Sequence, residues 1–168
     1  MKKLTLAIAF ILTSIISNLA NAQNSATGSA EASVTLITPI SITKTADLSF
    51  GTFVASASSG TITLSPGGVV STGGGVTEIS GGDVSAAAFS VAGETGQSYQ
   101  ITLPSADVIL TGTAAENSLT LNTFTSNPTD TGVIGTDGTV SVGGTLTVPA
   151  NSQADTYTGT FDVTVNYN

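Results

Sequence analysis

The last thirteen residues constrain the fold more than any other stretch. From Thr156 to Asn168, Tyr157, Gly159, Phe161, Val163, Val165 and Tyr167 fall on one parity, and Thr158, Thr160, Asp162, Thr164 and Asn166 fall on the other. Apolar and polar side chains alternating at period two define a pleated strand with one buried and one wet face. The spacing therefore predicts a long β-strand over Thr156 to Asn168. Its apolar face needs a cover, which has to come from strands far earlier in the chain. A fold closed in this way depends on contacts that are distant in sequence.

The earlier chain offers many such strands. Ser33 to Thr43 reads as the first, interrupted at Pro39, a position that suits an edge or a bulge. Leu48-Ser49-Phe50-Gly51-Thr52-Phe53 reads as a short alternating strand around a glycine at which the backbone bends or another element comes close. Gly60 to Leu64 runs into the turn Ser65-Pro66-Gly67-Gly68, and Val69 to Ile79 returns from it. The glycines Gly73 to Gly75 read as a loop or hairpin tip. They are a poor phosphate loop, because neither a Lys-Ser or Lys-Thr pair nor a helical pattern follows them. Ala86 to Ala92 and Ser98 to Pro104, joined by Gly93-Glu94-Thr95-Gly96, predict a hairpin. Val108 to Leu110, Leu119 to Phe124 and Gly138 to Pro149 continue the pattern. Gly143-Gly144 is either a tight turn or a bulge in one long strand. Nine or ten short strands without a helical period in the mature chain predict an all-β, antiparallel sandwich.

At the other end, Met1-Lys2-Lys3, an apolar run from Leu4 to Ile16 and Ala20-Asn21-Ala22 form a basic, an apolar and a small-residue region in succession. That order is expected of a signal peptide spanning 1–22 and cleaved after Ala22. A membrane anchor fits less well, because Thr13, Ser14, Ser17 and Asn18 interrupt the roughly 20 apolar residues that a span requires. The expected organisation is a signal peptide, a flexible arm over 23–32 and one sandwich domain over 33–168. The address is the periplasm, cell surface or exterior of a Gram-negative bacterium. Within the arm, Ala26, Gly28, Ala30 and Ala32 share a parity that Val34 and Leu36 continue.

Cleavage would leave Lys44 as the only cation against 11 acidic residues, a net charge of −10. Such a chain repels nucleic acid and anionic membrane surfaces, so neither is an expected partner. An outer-membrane barrel is disfavoured because the chain has no tryptophan and 3 tyrosines with which to form aromatic girdles. With no histidine, cysteine or arginine, the usual general base, thiol nucleophile, guanidinium clamp and commonest zinc ligands are missing. Paired carboxylates could still cleave a glycosidic bond, but Glu78 and Asp83 are the nearest acidic pair and no tryptophan offers a sugar platform. A calcium site at Asp130 and Asp137, or an isopeptide bond at Lys44, is outweighed by an ordinary turn and a solvated lysine. No catalytic residue, metal site or cofactor is expected.

Several blocks together resemble a known family. They are Asp47-Leu48-Ser49-Phe50-Gly51-Thr52-Phe53, Gly60 to Gly68, Phe89-Ser90-Val91-Ala92-Gly93-Glu94, and Val142 to Pro149 followed by Tyr157 to Tyr167. They look like the exported bacterial family DUF4402, a domain of unknown function. The Leu-x-Phe-Gly element and the ending also resemble spore-coat protein U and, more distantly, chaperone-assembled pilins. The resemblance implies an immunoglobulin-like, pilin-like sandwich that serves as a subunit of surface structures. It also implies that Phe161, Val163, Val165 and Tyr167 match a pilin ending, and that copies of itself, other surface subunits or a periplasmic chaperone are partners. Such pilins commonly carry a disulfide and a strongly apolar donor arm; this chain has no cysteine, and its arm offers Ala26, Gly28, Ala30 and Ala32. The expected function is a non-enzymatic fimbria-like or coat subunit that assembles by strand addition. The alternative is a monomeric secreted binding module, for example for carbohydrate.

Overall fold

The structure, a computed structural model, describes residues 25–114 and 116–168. The expected signal peptide lies outside these residues. The chain divides into two units, residues 1–36 and 37–168. In the first, residues 25–36 form neither helix nor strand and every one of them is exposed.

The second unit is all-β, with ten strands and no helix among the described residues. They are β1 (Ser41–Ala46), β2 (Thr52–Leu64), β3 (Val70–Ile79), β4 (Ala87–Ala92), β5 (Ser98–Thr102), β6 (Val108–Thr111), β7 (Ser118–Asn127), β8 (Thr131–Val133), β9 (Thr139–Val148) and β10 (Thr164–Tyr167). They build two antiparallel sheets, one of seven strands and one of three in the order β10-β5-β8.

The larger sheet is organised around β9, whose Val140, Val142, Leu146 and Val148 are buried on one parity. β7 pairs along one edge of β9, from Thr120↔Thr147 to Asn127↔Ser141, and β6 pairs beyond β7. Two strands share the opposite edge. β2 takes Gly144 to Val148 and continues to β3, while β4 takes Thr139 to Val142 and continues to β1. The sheet forks at Gly143, where β2 ends and β4 begins. A Cβ at Gly143 would run into the Leu64 carbonyl and lie 2.7 Å from the Ser65 carbonyl carbon, so only glycine passes beneath the departing chain. Gly143-Gly144 is thus neither a turn nor a bulge of its own strand. The irregularity sits opposite, in β7 between Asn122 and Thr125, where Thr123 adopts φ 50°.

Other local expectations are corrected by tertiary packing. The first strand starts at Ser41, and the segment from Ser33 to Ile40 carries no strand. Gly73 to Gly75 lie inside β3 and do not form a hairpin tip. Facing them, β2 bulges between Ala55 and Gly60, and the Ser58 and Ser59 carbonyls occupy the space that side chains at Gly75 and Gly74 would need. β4 and β5 are not a hairpin: β4 belongs to the large sheet and β5 to the small one. Val91 from β4 and Tyr99 and Ile101 from β5 meet across the layers in one apolar cluster with Val140, Val142, Ile134 and Val165. Burying both inward faces against each other is worth more than one hairpin ladder.

The final stretch keeps its parity but loses most of its pairing. β10 pairs with β5 from Thr164↔Thr102 to Tyr167↔Tyr99, whereas Thr156 to Val163 share backbone pairing with the sheets only through the bridge Thr158↔Thr111. Every even residue from Thr156 to Asn168 is exposed, Val165 is buried, and Tyr157, Phe161, Val163 and Tyr167 are partly buried. Phe161 meets the Phe124 ring at a centroid distance of 5.0 Å, in the seam where the two apolar clusters touch. Phe161→Ala should therefore destabilise, but by less than the roughly 3–5 kcal/mol of a fully enclosed phenylalanine. Thr160→Ala should be near neutral. Equal shifts of the two in urea melts would reverse the assigned face.

Candidate assembly groove

The two sheets differ in length, and the site follows from that mismatch. The small sheet covers the β4 half of the large one, enclosing the cluster of Ala87, Val91, Tyr99, Ile101, Ile134, Val140, Val142 and Val165. Over the β2 half, the same face of β9 continues through Leu146 and Val148 and joins Phe50, Ile62, Leu64, Val76, Leu119 and Leu121. No strand of the small sheet reaches this half. The irregular segment from Ser152 to Asp162, the strap, lies along this half, and Leu48 and Val84 also pack against its cluster. Between strap and sheet lies a groove of about 1010 Å³, with Phe50, Phe53, Leu110, Leu119, Tyr157 and Phe161 among its walls. Lys44, Asp47, Ser152 and Gln153 stand at its polar parts, with the Lys44 ammonium 2.6 Å from the Asp47 carboxylate.

The strap is held by few attachments. Thr111 N–H donates to the Thr158 carbonyl at 2.8 Å and Thr158 N–H returns to the Thr111 carbonyl at 3.0 Å, which ties the strap to the outer edge of β6. One turn earlier, the Asp155 carboxylate is gathered into the β6–β7 loop. It accepts from Asn117 Nδ2 at 3.0 Å, Thr113 Oγ1 at 2.6 Å, Thr113 N–H at 2.9 Å and its neighbour Thr156 N–H at 2.8 Å. Gly112 leaves room, since a Cβ there would strike the carboxylate. Tyr157 OH donates to the Gln153 carbonyl at 2.7 Å and shapes the strap internally.

The hydrogen bond from Asn117, followed by those from Thr113, holds the Asp155 carboxyl well below its ordinary value of 3.8. A depressed folded-state pKa stabilises the protein above the unfolded-state pKa, and that contribution is lost as pH falls through the carboxylate range. Asp155→Asn should accordingly lower the melting temperature at neutral pH. The gap to wild type should shrink below about pH 4. Melts across that range check this, and a gap constant with pH would mean that charge plays no part in the clasp.

At the other end of β1, a second knot fixes the start of the domain. Tyr167 OH accepts from Glu94 N–H at 2.7 Å and donates to the Thr38 carbonyl at 2.7 Å. The Glu94 carboxylate accepts from Thr38 N–H at 3.1 Å and Thr38 Oγ1 at 2.9 Å, and these bonds lower its pKa.

The residues singled out from the sequence thus fall into two sets. Phe161, Val163, Val165 and Tyr167 all turn toward the apolar clusters, and Tyr167 adds the knot. Ala26, Gly28, Ala30 and Ala32 are exposed, and no atom would meet a Cβ at Gly28 within 4 Å. The larger side chains on their parity, Val34 and Leu36, are 84% and 89% exposed. Sequence reasoning missed the Asp155 clasp and the Thr38–Glu94–Tyr167 knot. Both join residues more than thirty positions apart through single polar side chains, which carry no periodic signal.

Among the described residues no helix is long and apolar enough to cross a membrane, and no group of three or more acidic residues sits where it could hold a metal ion. The architecture is an all-β domain of two unequal antiparallel sheets with an open groove of mixed polar and apolar lining. The chain belongs to the family Domain of unknown function (DUF4402), which matches residues 40–167 and so spans all ten strands and both knots except Thr38. No curated protein and no solved structure matches it.

Proposed function

We propose that the protein is an exported, non-enzymatic structural subunit of the cell surface, an immunoglobulin-like and pilin-like sandwich that joins other copies of itself by strand addition. The observation that carries this reading is the incompleteness of the domain. One half of its large sheet lacks a second layer, while residues 25–36 bring apolar side chains that nothing covers. A strand-shaped segment and an apolar groove beside a free sheet edge are the two halves of β-strand addition, in which main-chain bonds supply affinity and alternate side chains supply fit.

Deleting 23–36, or replacing Val34 and Leu36 together by Asp, should leave a folded domain that no longer forms higher oligomers. Light scattering after gel filtration, at matched concentration, reads this directly. Unchanged size after both changes would overturn strand addition. It would favour a monomeric binding module whose groove, with Tyr157 beside Lys44, Asp47 and Gln153, takes a small polar ligand such as a carbohydrate.

A further inference from the structure

The strap is the least fastened wall of the groove, and it lies where an added strand would have to go. β6 pairs with β7 on one edge; on the other it meets only the strap, through the Thr111–Thr158 bridge. From Gly159 to Val163 the strap belongs to no strand. Gly159 crosses close over β6, and a Cβ there would lie 2.6 Å from Leu110 Cδ2 and 2.8 Å from the Ile109 carbonyl. The strap therefore takes up the β6 edge while using little of its ladder. Apart from that bridge, its anchors are one half-buried carboxylate clasp and two partly buried aromatic rings. Elements with few buried contacts and few ladder bonds open at lower free energy than the sheets they rest on.

We infer that the strap is a displaceable cover, latched by Asp155, over a strand-acceptor surface made of the outer edge of β6 and the apolar floor at Phe50, Leu110 and Leu119, and that the segment it yields to is residues 32–37 of a second copy. This rests on the strand-addition reading and adds its receiving site and its control. Charge and size select the occupant. Asp47, Asp155 and Asp162 border the groove, and its single cation is already paired with Asp47, so acidic segments are repelled. Residues 32–37 hold no charged side chain and place Val34 and Leu36 on one parity, suited to the apolar side chains of the groove floor. Thr38, where that segment joins its own domain, is tied beside Glu94 ahead of β1, and the groove begins at Lys44 and Ala46 toward the far end of β1. Six residues of near-extended chain put roughly 20 Å between the two points. Contacts between such separated surfaces are heterologous and propagate from copy to copy into chains or rings.

The test uses the full mature chain, in which Thr111→Cys with Thr158→Cys creates the only two cysteines. The two residues exchange both bridge hydrogen bonds, a geometry that sets their Cα atoms about 5.5 Å apart, within disulfide range. Binding of a labelled peptide of residues 25–37 should be at least tenfold weaker in the oxidised than in the reduced double variant, and Asp155→Asn should bind it faster than wild type. In Asp155→Asn, amide exchange at Thr111 and Thr158 should rise at least tenfold, with Tyr99 and Ile101 unchanged. Equal binding in oxidised and reduced protein overturns the cover while leaving strand addition standing. Exchange at Thr158 in Asp155→Asn as slow as at Tyr99 also overturns it. No peptide binding to any variant, with oligomer size indifferent to deletion of 23–36, overturns the inference and the strand-addition reading together.

Discussion

Tyr99→Ala should be the most damaging single truncation in the protein, lowering stability by about 3–5 kcal/mol in urea or thermal unfolding. Tyr99 is 0% exposed at the centre of the small sheet, between Tyr167 of β10 and Gly132 of β8. A Cβ at Gly132 would lie 2.5 Å from the tyrosine ring, so the neighbouring strand has given up its side chain to admit it. The phenol donates to the Asp137 carbonyl, which ties β5 to the loop before β9. Tyr99→Phe separates the two contributions, because it keeps the packing and leaves that carbonyl without its donor, for a loss of about 1–2 kcal/mol. Burial first, and then the Asp137 charge, push the phenol pKa up. A raised folded-state pKa gives stability that is present below the unfolded value and lost as pH climbs through the folded one. The wild type should therefore weaken above about pH 10 more steeply than Tyr99→Phe. Matching alkaline slopes would show that Tyr99 does not titrate with unfolding.

Gly143→Ala should come next, with a loss at or above the upper end of the roughly 1–3 kcal/mol typical of overpacking. The obstruction is main chain: the Leu64 carbonyl, the Ser65 carbonyl carbon at 2.7 Å and Pro66 N at 2.9 Å. No side-chain rotation relieves it, so either β2 leaves the sheet sooner or β9 loses part of its ladder. Gly67→Ala in the adjoining turn is the control, because the only neighbour of its added Cβ is Ser65 Oγ at 3.7 Å. Denaturation midpoints that moved equally for the two glycines would remove the fork as the reason for Gly143.

The same two positions show how far the sequence could be read. The inward parity of Tyr99, Ile101, Val140, Val142, Leu146, Val148 and Val165 is visible in the alternation alone, because strand side chains alternate faces whatever the strand pairs with. The number of strands and the all-β class follow from that alternation and the turn residues. Pairing is another matter. Glycine at 143 answers to Leu64 and Ser65, nearly eighty residues away, and glycines at 73 to 75 answer to a bulge in β2. Neither partner leaves a mark on the local sequence, so both runs resemble ordinary turns. The Gly93 to Gly96 turn misleads similarly, because a short polar link can close a hairpin or carry a chain from one layer to the next. The groove was legible in neither pattern nor composition. It arises from the unequal strand numbers of the two sheets, and the exposed apolar parity of Val34 and Leu36 reads on paper as the start of a strand.

The knot at Thr38 also settles how the domain meets mechanical load. A pull on residue 37 enters at Thr38 and divides at once, into Tyr167 and the β10–β5 ladder through the phenol, and into the β4–β5 loop through Glu94. Past Thr38 it meets β1, whose ladder with β4 runs from Ser41↔Ala92 to Ala46↔Ala88. The hydrogen bonds of Thr38 must part before load from residue 37 reaches the β1–β4 ladder, so the knot acts as a strain relief at the point where a pull would otherwise peel the edge strand away one bond at a time.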